Sequence, residues 1–204
     1  MTTFLLIRHG ETDAVGKSIM GWAPGWRLNT SGRSQVENLA KRLEALPLRA
    51  IYTSPLERAV ETAEAIGKSH GLAPLPEDDF GEYRIGEWQG CAIAELAGRD
   101  DFRRFNSFRC GTRPPGGEMA VETQVRVVRK IHELACRHRD QTVAIVSHGD
   151  PLRLAIAYFM GIAIDMLLRF EVHPASLSVL ELDDQGAKVL CVNDRGGELK
   201  WAER

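Results

Sequence analysis

Residues 4–12 read Phe4-Leu5-Leu6-Ile7-Arg8-His9-Gly10-Glu11-Thr12. An apolar run ends abruptly on a cation and an imidazole, with glycine next. An unbroken apolar run of this kind reads as a strand covered on both faces, the pattern of a parallel sheet inside an α/β protein. In open α/β sheets ligands bind outside the carboxyl ends of the strands, which is where Arg8 and His9 fall. Imidazole is the side chain best suited to nucleophilic or acid–base work near neutral pH.

Working outward, strand signals recur at Thr3–Ile7, Ala50–Thr53, Thr142–Val146, Ser176–Leu182 and Lys188–Val192. Val143-Ala144-Ile145-Val146 is apolar throughout, as a strand buried on both faces requires. Helical spacing lies between them. Val36, Leu39, Ala40, Leu43 and Leu46 predict an amphipathic helix over Ser31–Leu46. Leu56, Ala59, Val60, Ala63 and Ile66 predict a second, with Gly71 as its stop, and Val121, Val125, Val128, Ile131 and Ala135 a third. A fourth is expected from Pro151 to Met160, with Asp150 as N-cap, Pro151 at the first helical position and Gly161 after its end. Strands alternating with helices predict an α/β fold, with a mainly parallel sheet and helices on both faces. Asp183-Asp184-Gln185-Gly186 joins the last two strands as a hairpin, which makes one strand antiparallel. Gly98–Gly117 shows no clear period and holds Pro114-Pro115-Gly116-Gly117. It reads as a loop or short-helix excursion over the sheet edge, so residues 1–204 are expected to form a single domain.

The bulk composition narrows the function. A net charge of −2 with 26% charged residues gives no reason to expect nucleic-acid or anionic-membrane binding. Cys91, Cys110, Cys136 and Cys191 are widely spaced with no CxxC pair, so they read as small buried or half-buried thiols and indicate no zinc site. The first strand begins within three residues of Met1 and no apolar run reaches the length of a membrane span. A cytoplasmic, soluble protein is expected.

Three strand ends carry chemistry: Arg8-His9-Gly10, Ser54-Pro55-Leu56-Glu57-Arg58 and Ser147-His148-Gly149-Asp150. If the strands are parallel, all three stand along one edge. Ser54 and Glu57 have capping-box spacing and Pro55 falls at the first helical position, so Arg58 lies in the first turn of a helix. A cation there opposes the helix dipole, and an anion bound at the junction reverses that cost. The plain alternative is a solvated arginine. Each histidine follows an apolar strand and precedes a glycine, which lets a ligand approach the backbone closely. Two arginines and two histidines at one edge suit a dense anion, and phosphate fits best because arginine binds it in a fork.

At this point a resemblance emerges. Leu6-Ile7-Arg8-His9-Gly10-Glu11-Thr12 resembles the signature of the histidine phosphatase superfamily, the phosphoglycerate mutase-like proteins. Tyr52-Thr53-Ser54-Pro55-Leu56-Glu57-Arg58-Ala59, followed by Thr62-Ala63-Glu64, resembles its second motif. Gly81-Glu82-Tyr83-Arg84-Ile85-Gly86-Glu87-Trp88-Gln89-Gly90 resembles the segment carrying its acid. Pro115-Gly116-Gly117-Glu118 and Val146-Ser147-His148-Gly149 complete the series, in the family's order and over almost the whole chain.

The resemblance implies a three-layer α/β/α sandwich and a phosphohistidine mechanism. His9 would attack the phosphoryl group. Arg8, Arg58 and His148 would hold its oxygens, with Thr12 and Gly149 lending further donors. Glu82 would protonate the leaving oxygen and then activate water; motif alignment selects it over Glu11, Glu57, Glu87 and Glu118. No metal and no cofactor are implied, and no HxxEH or HExxH spacing is present. The sequence departs from the family at Val15, where many members carry an asparagine, and at Met119, where serine is common.

The family's cofactor-dependent mutases usually carry a longer insertion after the acid. Here only Tyr83 to Pro115 separates the acid motif from Pro-Gly-Gly. The expected activity is therefore a metal-independent, acid-type phosphoric monoester hydrolase acting on a small phosphorylated substrate. The alternatives are a phosphoglycerate mutase and a catalytically silent phosphate- or protein-binding module. No nucleic-acid or membrane partner is expected, and a homodimer is compatible with the sequence. Arg103, Arg104, Arg109 and Arg113, with Phe102, Phe105 and Phe108, are candidates to cover the substrate from the 98–117 excursion, against the alternative of a solvated basic loop.

Overall fold

The computed structural model describes residues 1–197, 199 and 201. Its centre is a six-stranded sheet made of β1 (Thr2–Arg8), β2 (Leu48–Thr53), β3 (Leu75–Pro76), β4 (Thr142–Ser147), β5 (Leu177–Asp183) and β6 (Gly186–Asp194). The spatial order is β3-β2-β4-β1-β5-β6. β1, β2, β3 and β4 pair in parallel, whereas β5 runs antiparallel to both β1 and β6. The expected hairpin forms at Asp183, whose carboxylate accepts from the backbone N–H groups of Gln185 and Gly186.

Alternate residues of each buried strand feed opposite faces, as a side-chain period of two demands. Phe4, Leu6, Val143 and Ile145 pack with Val127, Ile131 and Leu134 of α5 (Ala120–Arg137) and Leu152 and Ile156 of α6 (Gly149–Phe159). Leu5, Ile7, Ala144 and Val146 pack with Leu39 and Leu43 of α1 (Thr30–Leu43) and Ala59, Ala63 and Ile66 of α2 (Glu57–His70). The result is the three-layer α/β/α sandwich. Two helices, α3 (Ile93–Leu96) and α4 (Asp100–Ser107), lie in and next to the 98–117 excursion. They join a separate apolar cluster in which Trp88 meets Phe102 and Phe105 edge-on, with ring centroids 5.3 Å apart in both pairs. Among the described residues no helix is long and apolar enough to cross a membrane.

Several local expectations are corrected. The Ser54/Glu57 capping box does not form. α2 starts at Glu57 with Leu56 as N-cap, and the Glu57 carboxylate instead accepts from the Gly25 N–H at 2.8 Å. Asp150 is not the N-cap of α6; His148 occupies that place without a side-chain cap, and Pro151 is the third helical residue. α1 is capped by Asn29, whose side chain accepts from the Gly32 N–H. Of the cysteines, Cys110 and Cys136 are exposed rather than buried.

One contact ties the helical layer to the first strand end. Gly10 and Glu11 lie directly on α1. A Cβ at Gly32 would overlap the Glu11 carbonyl oxygen, and a Cβ at Gly10 would sit 2.7 Å from a Val36 methyl. Backbone cannot retreat as a flexible side chain can. Gly32→Ala should therefore lower unfolding free energy by about 1–3 kcal/mol in urea denaturation. Gly98→Ala, with nothing near its added methyl, should change it by less than about 0.5 kcal/mol.

Candidate active site

The parallel register sets Arg8 opposite Ser147 and Thr53 opposite Val146. The three motif-bearing strand ends therefore meet, and two backbone bonds lock them: His9 N–H to the Ser147 carbonyl and Ser54 N–H to the Val146 carbonyl, at 3.0 and 2.9 Å. His9 is 1% exposed and His148 is fully buried. Their ring centroids are 5.1 Å apart.

The hydrogen bonds assign the His9 ring proton and give His148 a hydroxyl partner. His9 Nδ1 lies 2.7 Å from the Gly10 carbonyl oxygen. A carbonyl only accepts, so Nδ1 carries the proton and Nε2 keeps its lone pair. His148 Nε2 lies 2.8 Å from the Ser54 hydroxyl, which itself accepts from the Leu56 N–H at 3.3 Å. Ser54 still has its own proton to give, and in the tautomer where Nε2 takes it the His148 proton stands on Nδ1. Ser54, read from its spacing as a helix cap, thus orients a histidine 94 residues away.

Arg58 stands in the first turn of α2 and is wholly buried, which excludes the solvated alternative. One guanidinium nitrogen donates to the Gly21 carbonyl at 3.0 Å. Arg8 donates to the Val172 carbonyl at 2.7 Å. Of the buried nitrogens without a partner among the described residues, four cluster at this edge: Arg8 Nε, Arg58 Nε and Nη1, and His148 Nδ1. Buried donors are almost always satisfied, so this cluster marks a place built for an acceptor-rich anion.

Glu82 comes to the same place, with Oε2 3.8 Å from His148 Nδ1 and Oε1 accepting from the Tyr83 N–H at 2.8 Å. Its backbone is held from two sides. The Trp22 indole N–H and Arg126 both donate to the Glu82 carbonyl, at 2.6 and 2.9 Å. Arg126 also grips the Gly81 carbonyl and the Glu118 carboxylate. Glu118, the last residue of the Pro-Gly-Gly-Glu motif, accepts in addition from the Arg84 N–H. Arg126 carries no sequence signal for this task, since it is one arginine in a charged helix.

Burial sets the electrostatics. It is the largest influence pushing His9 well below the ordinary imidazole value, with Arg58 and Arg8 adding to it. Burial likewise lowers His148, aided by Arg58, His9 and Arg8. It raises Glu82, as does the Asp150 charge, and Arg58 only partly opposes them. All three groups are driven toward their neutral forms.

The remaining expected residues have definite places. Gly149 opens α6 and lines the cleft beside Arg8. The buried Thr12 hydroxyl donates to the Met20 sulfur at 3.4 Å. Val15 lines the cleft, and Met119 is the N-cap of α5. Of the arginines in the excursion, Arg109 lines the cleft. Arg103 pairs with Asp100, Arg113 with Glu122, and Arg104 is exposed. The cleft has a volume of about 450 Å³. Among the described residues no group of three or more His, Cys, Asp or Glu is arranged to hold a metal ion.

Comparison with known proteins identifies the family. A family model of the histidine phosphatase superfamily (branch 1) matches residues 4–195. Phosphoserine phosphatase 1 of Hydrogenobacter thermophilus is 30% identical over 203 residues, spanning 95% of this chain and 92% of that protein. The solved structure of Bacillus stearothermophilus YhfR superposes with a TM-score of 0.90 at 32% identity, covering 96% of this chain and 98% of that one. An alpha-ribazole phosphatase from Shigella flexneri superposes with a TM-score of 0.84 at 28% identity, over 96% of this chain and 99% of that one. With its motifs meeting at one sheet edge and nearly its whole length matched, the chain belongs to the histidine phosphatase superfamily.

Proposed function

We propose that the protein is a cytoplasmic, metal-independent phosphatase that hydrolyses a small phosphomonoester through a phosphohistidine on His9. One observation carries this reading. The Gly10 carbonyl holds the His9 proton on Nδ1, so Nε2 is left nucleophilic beside the unpartnered donors of Arg8, Arg58 and His148.

The steps follow from residue chemistry. His9 Nε2 attacks phosphorus as the bond from phosphorus to the leaving oxygen breaks, and Glu82 gives that oxygen its proton. Glu82, now a carboxylate, takes a proton from water. The resulting hydroxide attacks phosphorus, the P–N bond breaks, and phosphate leaves with His9 and Glu82 restored. Arg8, Arg58 and His148 stabilise the charge on the equatorial oxygens throughout, which is the main task in phosphoryl transfer. Thr12 is tied to Met20, next to the Gly21 carbonyl that holds Arg58, and Gly149 lets Arg8 and the phosphoryl group approach the start of α6. The Glu82 side chain is 20% exposed while His148 is fully buried. Solvent therefore has access to the carboxylate that must activate it, which favours hydrolysis over transfer to a second substrate.

Burial also serves the proton inventory. Attack needs neutral His9, and departure of the alcohol needs protonated Glu82. The depressed imidazole and the raised carboxyl widen the pH range in which both forms coexist. kcat/KM should fall on the acid side as the histidines take up protons, and on the alkaline side as Glu82 ionises.

His9→Ala should lower kcat by at least about 10⁴-fold, and should abolish an acid-labile, base-stable phosphoenzyme trapped by rapid quench with a ³²P-labelled phosphomonoester. A wild-type rate in that variant, or its loss in the wild type with chelator, would overturn the mechanism. Glu82→Gln should cost about 10²–10⁴ in kcat and remove the alkaline limb of the pH–rate profile, with Glu82→Asp restoring part of both. An alkaline limb unchanged in Glu82→Gln would assign the acid elsewhere.

A further inference from the structure

Beyond the phosphoryl clamp, the cleft differs in character from the clamp itself. Ile19, Ile93, Phe102 and Phe105 line it. At about 450 Å³ it has the size of sites that enclose drug-sized ligands, several times what a phosphate alone would fill.

Both arginines of the cleft outside the phosphoryl clamp are paired with carboxylates. Arg109 is buried, donates to Asp150 at 2.6 Å and to the Asn106 side-chain oxygen at 3.1 Å, and stacks on the Phe105 ring with its guanidinium carbon 4.2 Å from the centroid. Arg153 donates to Glu171 at 2.8 Å, to Asp150 at 3.4 Å and to the Phe170 carbonyl at 3.3 Å. Asp150 therefore has two cations committed to it. Although burial alone would raise it, Arg109 and Arg153 hold it below the usual carboxylate range, so it is a fixed negative charge in the wall. A carboxylate on the leaving group would meet the Asp150 charge, and the only cationic donor Arg109 leaves uncommitted is its buried Nε. Among the described residues lining the cleft, no arginine outside the phosphoryl clamp is without a carboxylate partner. A neutral polar group fares better: Tyr83 lines the cleft and is 2% exposed, and its hydroxyl has no partner.

We infer that the preferred substrate is the phosphomonoester of an uncharged alcohol with an aromatic or branched aliphatic body, and that Ile93 and Phe102 form the wall that selects it. This inference rests on the phosphatase reading above and narrows its substrate. It sets the chain apart from enzymes whose leaving group is a small amino or hydroxy acid.

The test uses primary-alkyl phosphates of similar leaving-group basicity, so that chemistry and recognition are not confused. Benzyl phosphate, O-phosphoserine and 3-phosphoglycerate are compared by kcat/KM on the wild-type protein, Ile93→Asn and Phe102→Ser, with thermal unfolding confirming that each variant folds. The wild type should favour benzyl phosphate by at least about tenfold over either acid. Both folded variants should shrink that ratio at least about threefold. Ile93 is half-buried on a four-residue helix, so it tests the wall even if Phe102→Ser, which loses its contact with Trp88, unfolds. A wild type that turns over either acid as well as benzyl phosphate overturns the inference and leaves the phosphatase reading standing. A ratio unmoved in folded Ile93→Asn overturns the assigned wall. No turnover of any of the three, with no phosphohistidine trapped, overturns the phosphatase reading and the inference with it.

Discussion

The pairing of β1 with β4, Arg8 opposite Ser147, is the contact on which the site depends. It places two strand ends side by side and so brings together two histidines 139 positions apart in the chain. A slip of one residue would turn every side chain of β1 to the other face. Phe4 and Leu6 would then lose α5 and α6, and Leu5 and Ile7 would lose α1 and α2. The apolar alternation that builds the two cores is thus also what aligns the imidazoles, and stability and site geometry share one register.

Once aligned, the histidines are removed from water and Glu82 largely so, and that removal does chemical work. Desolvation disfavours whichever form of a group is charged. It therefore acts in opposite directions on an imidazole and a carboxyl, and here both shifts favour the proposed reaction. The arginines stay cationic because their intrinsic basicity is far too high for burial to overcome. The site is consequently a set of permanent positive charges facing groups held neutral, a combination that receives a dianion without first having to shed protons.

Much of this was legible in the sequence. The apolar strand runs, the three-four spacing of the helices and the residues at three strand ends were sufficient to place Arg8, His9, Arg58 and His148 on one edge, because parallel topology leaves them nowhere else. Glu82 was found by likeness of motif, since its position over the edge comes from a loop held by Trp22 and Arg126 and not from any strand. Ser54 was misread because a serine three residues before a glutamate looks the same whether its hydroxyl caps a helix or orients a distant histidine. Asp150 was misread for a similar reason, its real partner Arg109 lying 41 residues away. β3 has two residues and α4 keeps its apolar contacts to Phe102 and Phe105 within a charged run, so neither offers a period long enough to detect.

The unpartnered donors of Arg8, Arg58 and His148 have a consequence outside catalysis. Buried nitrogens without acceptors weaken the native state, and an oxyanion that satisfies them binds the folded chain but not the unfolded one. By mass action such a ligand stabilises the fold. Inorganic phosphate, the product of the proposed reaction, would then also be a folding ligand. On the proposed mechanism, the interaction that would slow turnover as phosphate accumulates is the same one that would protect the fold, so durability and activity would trade against each other.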